Sequence, residues 1–324
     1  MARDEIVTTI SIYHDRTGYP LRTLLSIADI PAGKFYDWRN RVLLPNRHHG
    51  ILPREHWLLP WEKAAIIDYA RHHAGDGYRR LCYQMIDEDV VYVSSASVYR
   101  VLHDAGLLTR WQHEDTSLHG TGYRQPTAPH QEWHTDITYV NVLGTFLFLI
   151  AVLDGYSRYV VHHEVRASME GEDVTVVLQR ARERYPDENP RVISDRGGQF
   201  IAREFKEYIR SAGLTQTLIS AGYPQSNGKI ERFYKTVKTE CVRRSSFLSV
   251  ADARRIIAEF IEYYNTKRLH SALDYLTPLD ILHGRRDEIL KTREEKRERA
   301  KALRRKQCYQ ISTLNQTPVL SDSR

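Results

Sequence analysis

The sequence predicts a mixed α/β core of five strands with flanking helices, preceded by all-helical units. Residues 1–110 show helical spacing of apolar residues interrupted by prolines and glycines, whereas strand-like segments begin only near residue 131. From there three apolar strands follow in hairpin succession, and then helices alternate with two short strands. Hairpin strands and helix-linked strands together indicate one mixed sheet with helices packed on its faces.

Shifts in composition divide the chain into segments. Prolines and glycines indicate a short connection at Asn46–Gly50 and a longer polar linker further on. We predict an N-terminal helical, helix-turn-helix-like region at 1–50, a helix-turn-helix domain at 61–110, a linker at 111–130, the core at 131–285, and a charged helix and tail at 286–324.

The unit at 61–110 is predicted to contain three short helices. They span Trp61–His73, Tyr78–Glu88, and a third segment that Ser94 or Ser95 caps and Gly106 ends. Three such helices with a tight middle turn are typical of a helix-turn-helix, but a plain three-helix scaffold has the same pattern. In a helix-turn-helix, the third helix would present these side chains to a DNA groove: Ser97, Tyr99, Arg100 and His103.

Positive charge is concentrated near the end of the chain. The net charge is +6 with a pI of about 9.1. The segment Arg285–Lys306 alone holds eleven Lys/Arg and five Asp/Glu, so the rest of the chain is nearly neutral. The segment fits a solvated single helix, a helix along DNA phosphates, or a helix docked on a partner subunit. Bulk charge therefore does not decide the function.

Composition also argues against several classes of protein. The cysteines Cys82, Cys241 and Cys308 are far apart, which disfavours a disulfide framework and a paired-cysteine zinc site. No apolar run reaches the ~18 residues of a membrane span. The first ten residues contain acids where a secretory signal would have an apolar core. We expect a cytoplasmic protein without a membrane partner.

Three acidic residues occupy positions that suit chemistry. Asp136 falls inside the first strand, and Asp195 directly follows the short strand Arg191–Ser194, at an edge where sites in such sheets form. Glu231 falls in the first turns of a helix that begins near Asn227. Each acid alone fits a surface charge or cap. Their significance comes from a resemblance, because the 35 residues between Asp195 and Glu231 match the gap between the second Asp and the Glu in the proteins described next.

At these acids the sequence resembles the transposases of bacterial insertion sequences, of the large-subunit, two-reading-frame type, and the retroviral integrases. The resemblance covers residues 128–285. The matching stretches are WHTDITYV, LIAVLDGYSRYVV, VISDRGGQFIAREF, SAGYPQSNGKIERFYKTVKTE and FIEYYNTKRLHSALDYLTPLDIL. More loosely, GYRRLCYQMIDEDVVYVSSASVYRVLHDAGLL resembles the helix-turn-helix that precedes the core in these transposases. The chain has no cysteine pair like that of the integrases' zinc module, which places it with the bacterial proteins.

The resemblance implies a ribonuclease-H-like, integrase-like DDE catalytic core and a DNA-binding role for 61–110. It implies that Asp136, Asp195 and Glu231 hold two Mg²⁺ ions, with Mn²⁺ as a substitute, and that Asp136 bridges both. The implied reaction is cleavage of insertion-sequence ends and their joining to target DNA by hydrolysis and transesterification. Two ends must meet, which implies a homodimer or larger oligomer at the nucleoid. An upstream-frame protein is a further candidate partner.

Elementary electrostatics agrees with a metal at this site. Two unit charges ~4 Å apart repel by about 4 kcal/mol at an effective dielectric near 20, so converging carboxylates need a cation or a proton. Oxygen ligands without sulfur select Mg²⁺ or Mn²⁺. Lys235 and Lys238 share a helix face with Glu231, and we expect both on DNA phosphates, although a Glu231–Lys235 pair is the alternative. The opposite face should pack inward: Ile230, Phe233, Tyr234 and Val237.

Two other functions fit the same fold. A DNA-binding regulator with an inactive core is one, and a purely hydrolytic nuclease is the other. The intact set of acids argues against the regulator, and the helical units in front of the core favour end recognition over simple hydrolysis. The glycine- and proline-bearing segment 222–228 is expected to be a mobile loop that closes on substrate.

Overall fold

The computed structural model describes residues 2–42, 57–108, 125–219 and 227–314. The chain forms two compact units, Met1–Arg54 with Ser312–Arg324, and Glu55–Ile311. The predicted connection at Asn46–Gly50, most of the predicted linker, most of the predicted mobile loop and the end of the tail lie outside the described residues. The second unit combines the predicted helix-turn-helix, the core and most of the C-terminal helix.

The first unit is helical where the structure describes it, as the sequence predicts, with three helices over residues 2–42. They are α1 Ala2–Thr17, α2 Leu21–Ile27 and α3 Ala32–Arg39. Pro20 and Pro31 immediately precede α2 and α3, where a fixed φ and a missing N–H do not disturb the first turn. The buried core of this unit is small and is made by Val7, Ile10, Leu25 and Phe35.

The second unit begins with the three predicted helices of the helix-turn-helix. They are α4 Pro60–His72, α5 Tyr78–Asp87 and α6 Ser95–Asp104. Ser94 caps α6, with its hydroxyl oxygen accepting from the Ser97 N–H at 3.2 Å. The three helices share one apolar core: Ile66, Tyr69, Leu81, Cys82, Met85, Ile86, Val91, Val93, Val98, Val101 and Leu102.

The sheet has the order β3-β2-β1-β4-β5. Its strands are β1 Glu132–Val142, β2 Thr145–Asp154, β3 Val160–Arg166, β4 Arg191–Ser194 and β5 Thr215–Leu218. The first three strands pair antiparallel in succession, whereas β4 pairs parallel to β1 and β5 parallel to β4. This is the ribonuclease-H-like arrangement, and it confirms the predicted mixed five-stranded sheet.

Helices cover both faces of this sheet. On one face α7 Gly171–Arg184, α8 Gly198–Ile201 and α9 Arg203–Ser211 bury a core that includes Trp133 and Val177. On the other face α10 Gly228–Thr236 and α11 Val250–Thr266 bury a core with Leu149, Phe233 and Ile257. The site described below lies on this second face.

The helix that carries Glu231, which the sequence predicts to begin near Asn227 and to continue to Val242, is not one continuous α-helix. The α-helix α10 ends at Thr236 and continues as a π-helical turn, Val237–Cys241, followed by a 3₁₀ turn. Glu240 in the π-helical turn accepts two hydrogen bonds, of 2.7 and 2.6 Å, from the buried Arg268. Apolar spacing cannot reveal this change of register, because the pairing residue lies 28 positions further along the chain.

The folded core begins before residue 131, where the predicted linker ends. His130 is buried, and its backbone N–H donates to the Asp154 carboxylate at 2.7 Å. The Trp133 indole also lies 3.1 Å from the His130 ring nitrogen Nδ1. His130 is therefore a core residue, and the glycine and proline content of the segment before it does not mark where packing starts.

The charged segment near the end forms one helix that packs on the rest of its unit. After α12 Pro278–Leu282, the helix α13 spans Arg286–Leu314. Arg293 donates to Asp87 at 2.8 and 2.6 Å, and Arg304 donates to Glu62 at 3.0 and 3.1 Å. Both arginines are buried, so the prediction of a solvated single helix is wrong. A charge count does not distinguish the eleven basic residues of this segment, but Arg293 and Arg304 form buried ion pairs within the unit.

The helix α13 is long, but it is too densely charged to cross a membrane. Throughout the described ranges, the helices lack the combination of length and apolar composition that crossing a bilayer requires.

The buried Arg304–Glu62 pair yields a prediction about stability. Arg304→Met should lower the free energy of unfolding by about 3–5 kcal/mol, because it leaves Glu62 charged and buried without its partner. The double variant Glu62→Met/Arg304→Met should recover at least half of that loss, although Glu62 also caps α4 by accepting from the Leu59 N–H.

Urea unfolding followed by circular dichroism measures this difference. The matched control is Arg299→Met on the same helix, whose side chain is 77% exposed. It should change stability by no more than ~0.5 kcal/mol. A double variant that is no more stable than Arg304→Met would contradict the account.

Candidate active site

Asp136 lies in the middle of β1, with its side chain on the face that α10 covers. The Tyr234 hydroxyl on α10 donates to the backbone carbonyl of Asp136. The Asn227 side-chain amide lies 3.4 Å from the Asp136 carboxylate, which also accepts from the Ile137 N–H at 2.8 Å. The helix that carries Glu231 therefore contacts the strand that carries Asp136 directly.

Asp195 immediately follows β4, as the sequence predicts. Parallel pairing of His134 with Ile193 aligns the end of β4 with the middle of β1, which brings Asp195 beside Asp136. One Asp195 oxygen accepts from the Gly197 N–H at 2.8 Å. Gly197 and Gly198 follow Asp195, and neither has a positive φ. A Cβ at Gly197 would meet the Gln199 side chain, whereas a Cβ at Gly198 would meet nothing within 4 Å.

Glu231 lies on the outward face of α10, one turn after its start. As predicted, the opposite face packs into the core, with these four residues buried: Ile230, Phe233, Tyr234 and Val237. Glu231 is exposed, whereas Asp136 and Asp195 are partly buried. The three acids thus come from three separate parts of the core: a strand, the residue that follows a strand, and a helix.

The pKa of Asp136 depends on the charges of the other two acids. The pKa of Asp136 is raised from 3.8 to about 6, mainly by burial and in addition by the negative charges of Asp195 and Glu231. The hydrogen bond from the Ile137 N–H and the charge of Lys238 oppose this increase. Removing water from a carboxylate that faces like charges destabilises its ionised form, and a cation would relieve that repulsion.

The oxygen donors of these acids suit a hard divalent cation, but they have not converged. In the ranges described, no three Asp, Glu, His or Cys side chains lie close enough together to hold a metal ion. The chemistry of the donor set and the raised pKa of Asp136 therefore fit a cation, and binding would require the carboxylates to approach one another.

The two predicted lysines occupy different surroundings. Lys238 is close enough to influence the pKa of Asp136, so it lies beside the acids. Lys235 is exposed and lines a neighbouring cleft. The structure does not form the alternative Glu231–Lys235 ion pair among the residues it describes, which leaves both lysines available to a substrate.

A cleft of about 1270 Å³ separates the three N-terminal helices of this unit from α10 and the π-helical turn, and the sequence did not predict it. Tyr99 lines the cleft, whereas Arg100 does not and instead donates to the Ser97 hydroxyl at 3.3 Å. Tyr99 and Arg100, both predicted to contact DNA, therefore lie on two different surfaces of α6. Two arginines that line this cleft were also missed, Arg232 and Arg243, although they follow Glu231 on the same chain segment.

Tyr234 and Asn227 are further site residues that sequence reasoning did not assign to the site. Tyr234 was placed in the core by its helical spacing, and it is indeed buried, but its hydroxyl reaches the backbone of β1. A buried tyrosine needs a partner for its hydroxyl, which was the available signal. Asn227 was treated only as the start of a helix.

Comparison with known proteins finds matches over the part of the chain that carries these acids. Two family models, both described as Integrase core domain, match residues 126–224 and 212–278. The transposase for insertion sequence element IS904 of Lactococcus lactis subsp. lactis is 29% identical over 204 residues, covering 59% of this chain and 81% of that protein.

Two further relatives match over a longer span. The InsK protein of insertion sequence element IS150 in Escherichia coli K12 is 25% identical, covering 82% of this chain and 94% of that protein. The transposase for insertion sequence element IS629 of Shigella sonnei is 24% identical, covering 82% of this chain and 92% of that protein. With its mixed sheet and matching core models, the chain has an integrase-like catalytic core and is similar to transposases of bacterial insertion sequences.

Proposed function

We propose that this transposase cuts the ends of its insertion sequence and joins them to target DNA, with Asp136, Asp195 and Glu231 as its catalytic carboxylates. One observation carries the proposal. Three acids from a strand, a strand end and a helix share one electrostatic environment, which is evident in the raised pKa of Asp136. Clustered carboxylates with perturbed pKa values are typical of sites that bind cations or transfer protons.

The same carboxylates would hold two Mg²⁺ ions, or Mn²⁺ in their place. When bound, the ions would supply Lewis-acid activation for phosphodiester hydrolysis and transesterification. The chain's own residues do the positioning. Tyr234 fixes the backbone of Asp136, Asn227 lies beside its carboxylate, and Lys238 adds a positive charge that would attract a DNA phosphate to the acids.

Recognition of the DNA ends is assigned to the helix-turn-helix. The helix α6 exposes Tyr99, Arg100 and His103, and a serine cap orders its first turn. The arginine is suited to bidentate contact with a guanine edge. Joining requires two ends to meet, so the working form is a homodimer or larger assembly on DNA.

A DNA-binding regulator and a simple nuclease remain the competing functions. A regulator has no use for three carboxylates that destabilise one another in the absence of a cation. A nuclease would nick DNA without joining it. Nicking and strand-transfer assays on the DNA that flanks the gene distinguish all three.

Neutral substitutions of the acids test the catalytic assignment. Asp136→Asn, Asp195→Asn and Glu231→Gln should each lower Mg²⁺-dependent cleavage more than about 100-fold, since each removes a ligand's charge while keeping its shape. Binding of end DNA should persist. The matched control Glu262→Gln, an exposed acid on α11, should cleave like the wild type. Full activity in any one of the three variants would contradict its assignment.

The pH dependence of cation binding follows from the pKa of Asp136. At pH 7.5 the carboxylate is ionised, whereas near pH 5, below its pKa of about 6, it holds a proton that a cation must displace. Mg²⁺ should therefore raise the melting temperature at pH 7.5 and much less at pH 5.

In the metal-free protein, the contribution of Asp136 to stability should decrease as the pH rises. Between pH 4 and pH 6 the folded state keeps a proton on Asp136 that the unfolded state loses, so this residue's contribution to stability falls as the pH rises through that window. Asp136→Asn should remove both effects. A Mg²⁺ shift that is equal at the two pH values, or unchanged in Asp136→Asn, would count against the proposed cation site.

Arg100 provides a test of end recognition. Arg100→Ala in the full-length protein should reduce the preference for end DNA over random DNA by about 1–3 kcal/mol if Arg100 contacts a base. The control Arg210→Ala, an exposed arginine on α9, should keep the preference. Competition binding at constant salt measures both, and an unchanged preference in Arg100→Ala would place recognition elsewhere.

A further inference from the structure

The 1270 Å³ cleft is lined by more basic than acidic side chains. Six arginines and lysines line it, against two acids, Asp76 and Glu240. Both acids are already neutralised within the unit. Arg80 pairs with Asp76, and Arg268 donates two hydrogen bonds to Glu240, at 2.7 and 2.6 Å. The acids therefore do not offset the charge of the remaining basic side chains.

Four basic side chains are left facing the cleft: Arg71, Arg232, Lys235 and Arg243. All four are exposed, and within the part of the chain described no ion pair involves any of them. They come from both walls, since Arg71 belongs to α4 and the others to α10 and the turns that follow it. A set of exposed cations converging on one cleft is suited to a polyanion that spans both walls.

Aromatic rings lie beside these charges. Tyr99 is 43% exposed, lies edge-to-face with Tyr78 at 5.2 Å, and stacks with His103 at 6.0 Å. Tyr78 and His103 hold the Tyr99 ring in place and leave part of it free. Basic side chains interleaved with such rings form the usual platform for unpaired nucleic acid, because only an unpaired base offers its face for stacking.

The cleft also adjoins the candidate active site. Arg232 directly follows Glu231 on α10, and Lys235 lies one helical turn beyond it. A DNA strand whose phosphodiester reaches the three acids would therefore have its neighbouring phosphates beside this wall of the cleft.

We propose that the cleft between the helix-turn-helix and α10 binds a single DNA strand, holding its phosphates with Arg71, Arg232, Lys235 and Arg243 and stacking a base on Tyr99. The inference rests on the proposed function, because it assigns the strand to the DNA that the catalytic acids cut. It goes beyond that function in distinguishing an unpaired strand in the cleft from the duplex that the exposed Arg100 surface would read.

Binding of a homopolymer tests this directly. The probe is fluorescein-labelled oligothymidylate of about 12 nucleotides, within the usual span of single-strand sites. It cannot form a duplex with itself, and EDTA prevents cleavage. Fluorescence anisotropy with the full-length protein across a salt series gives affinity and its salt slope.

Two kinds of variant separate charge from stacking. Arg71→Gln/Arg243→Gln should flatten the slope of log affinity against log salt by about 1.4, since each lost phosphate contact removes about 0.7 for a single strand. Tyr99→Ala should weaken binding about 5- to 150-fold, and Tyr99→Phe should restore most of it because the ring remains. The control pair Lys206→Gln/Arg210→Gln, on the exposed surface of α9, should leave the slope unchanged.

Several outcomes would overturn the inference. They are a wild-type protein that does not bind the oligothymidylate, cleft variants that behave like the control pair, and losses confined to a duplex probe. Melting curves confirm that each variant is folded. Mg²⁺-dependent nicking by the wild type is measured separately. A protein that does not nick but loses single-strand affinity in the cleft variants would contradict the proposed function while supporting the cleft, and the reverse pattern would do the opposite.

Discussion

In the middle of β1, one carboxylate is partly removed from water and faces two others. That carboxylate belongs to Asp136. Its pKa is raised because burial and the negative charges of Asp195 and Glu231 all disfavour its ionised form. A folded protein keeps such a group only where the surrounding structure holds it in place. Parallel pairing of β4 with β1 fixes one neighbour, and the packing of α10 on the sheet fixes the other. Most of the core around the site is arranged so that these three elements meet.

The same chain segment also links the acids to the three N-terminal helices of the unit, α4, α5 and α6. Glu240, in the π-helical turn after α10, holds Arg268 and lies 3.9 Å from Arg80 on α5. A second connection runs through α13, where Arg293 donates to Asp87 on α5 and to the backbone carbonyl of Tyr275. Buried ion pairs of this kind contribute less to stability than to fixing one arrangement.

Local pattern was sufficient to predict most of the elements and the positions of the acids. Alternating apolar residues gave the strands, and a 35-residue separation singled out Asp195 and Glu231. What could not be predicted depends on contacts between distant parts of the chain. Arg293 and Arg304 looked like two of eleven equivalent surface charges, but their acidic partners lie 206 and 242 residues away. The π-helical turn and the cleft could not be predicted for the same reason, because each involves side chains from separate segments of the chain.

The most direct measurement of the shared site uses a redox-active ion in place of Mg²⁺. Fe²⁺ binds carboxylate sites at least as well as Mn²⁺, and with ascorbate and peroxide it generates radicals that cut the backbone close to where it is bound. If the three acids form one cation site, peptide fragments should map to cuts near residues 136, 195 and 231 together, and excess Mg²⁺ should suppress all three. Cuts confined to one of these segments, or unchanged in Asp136→Asn, would contradict a shared site.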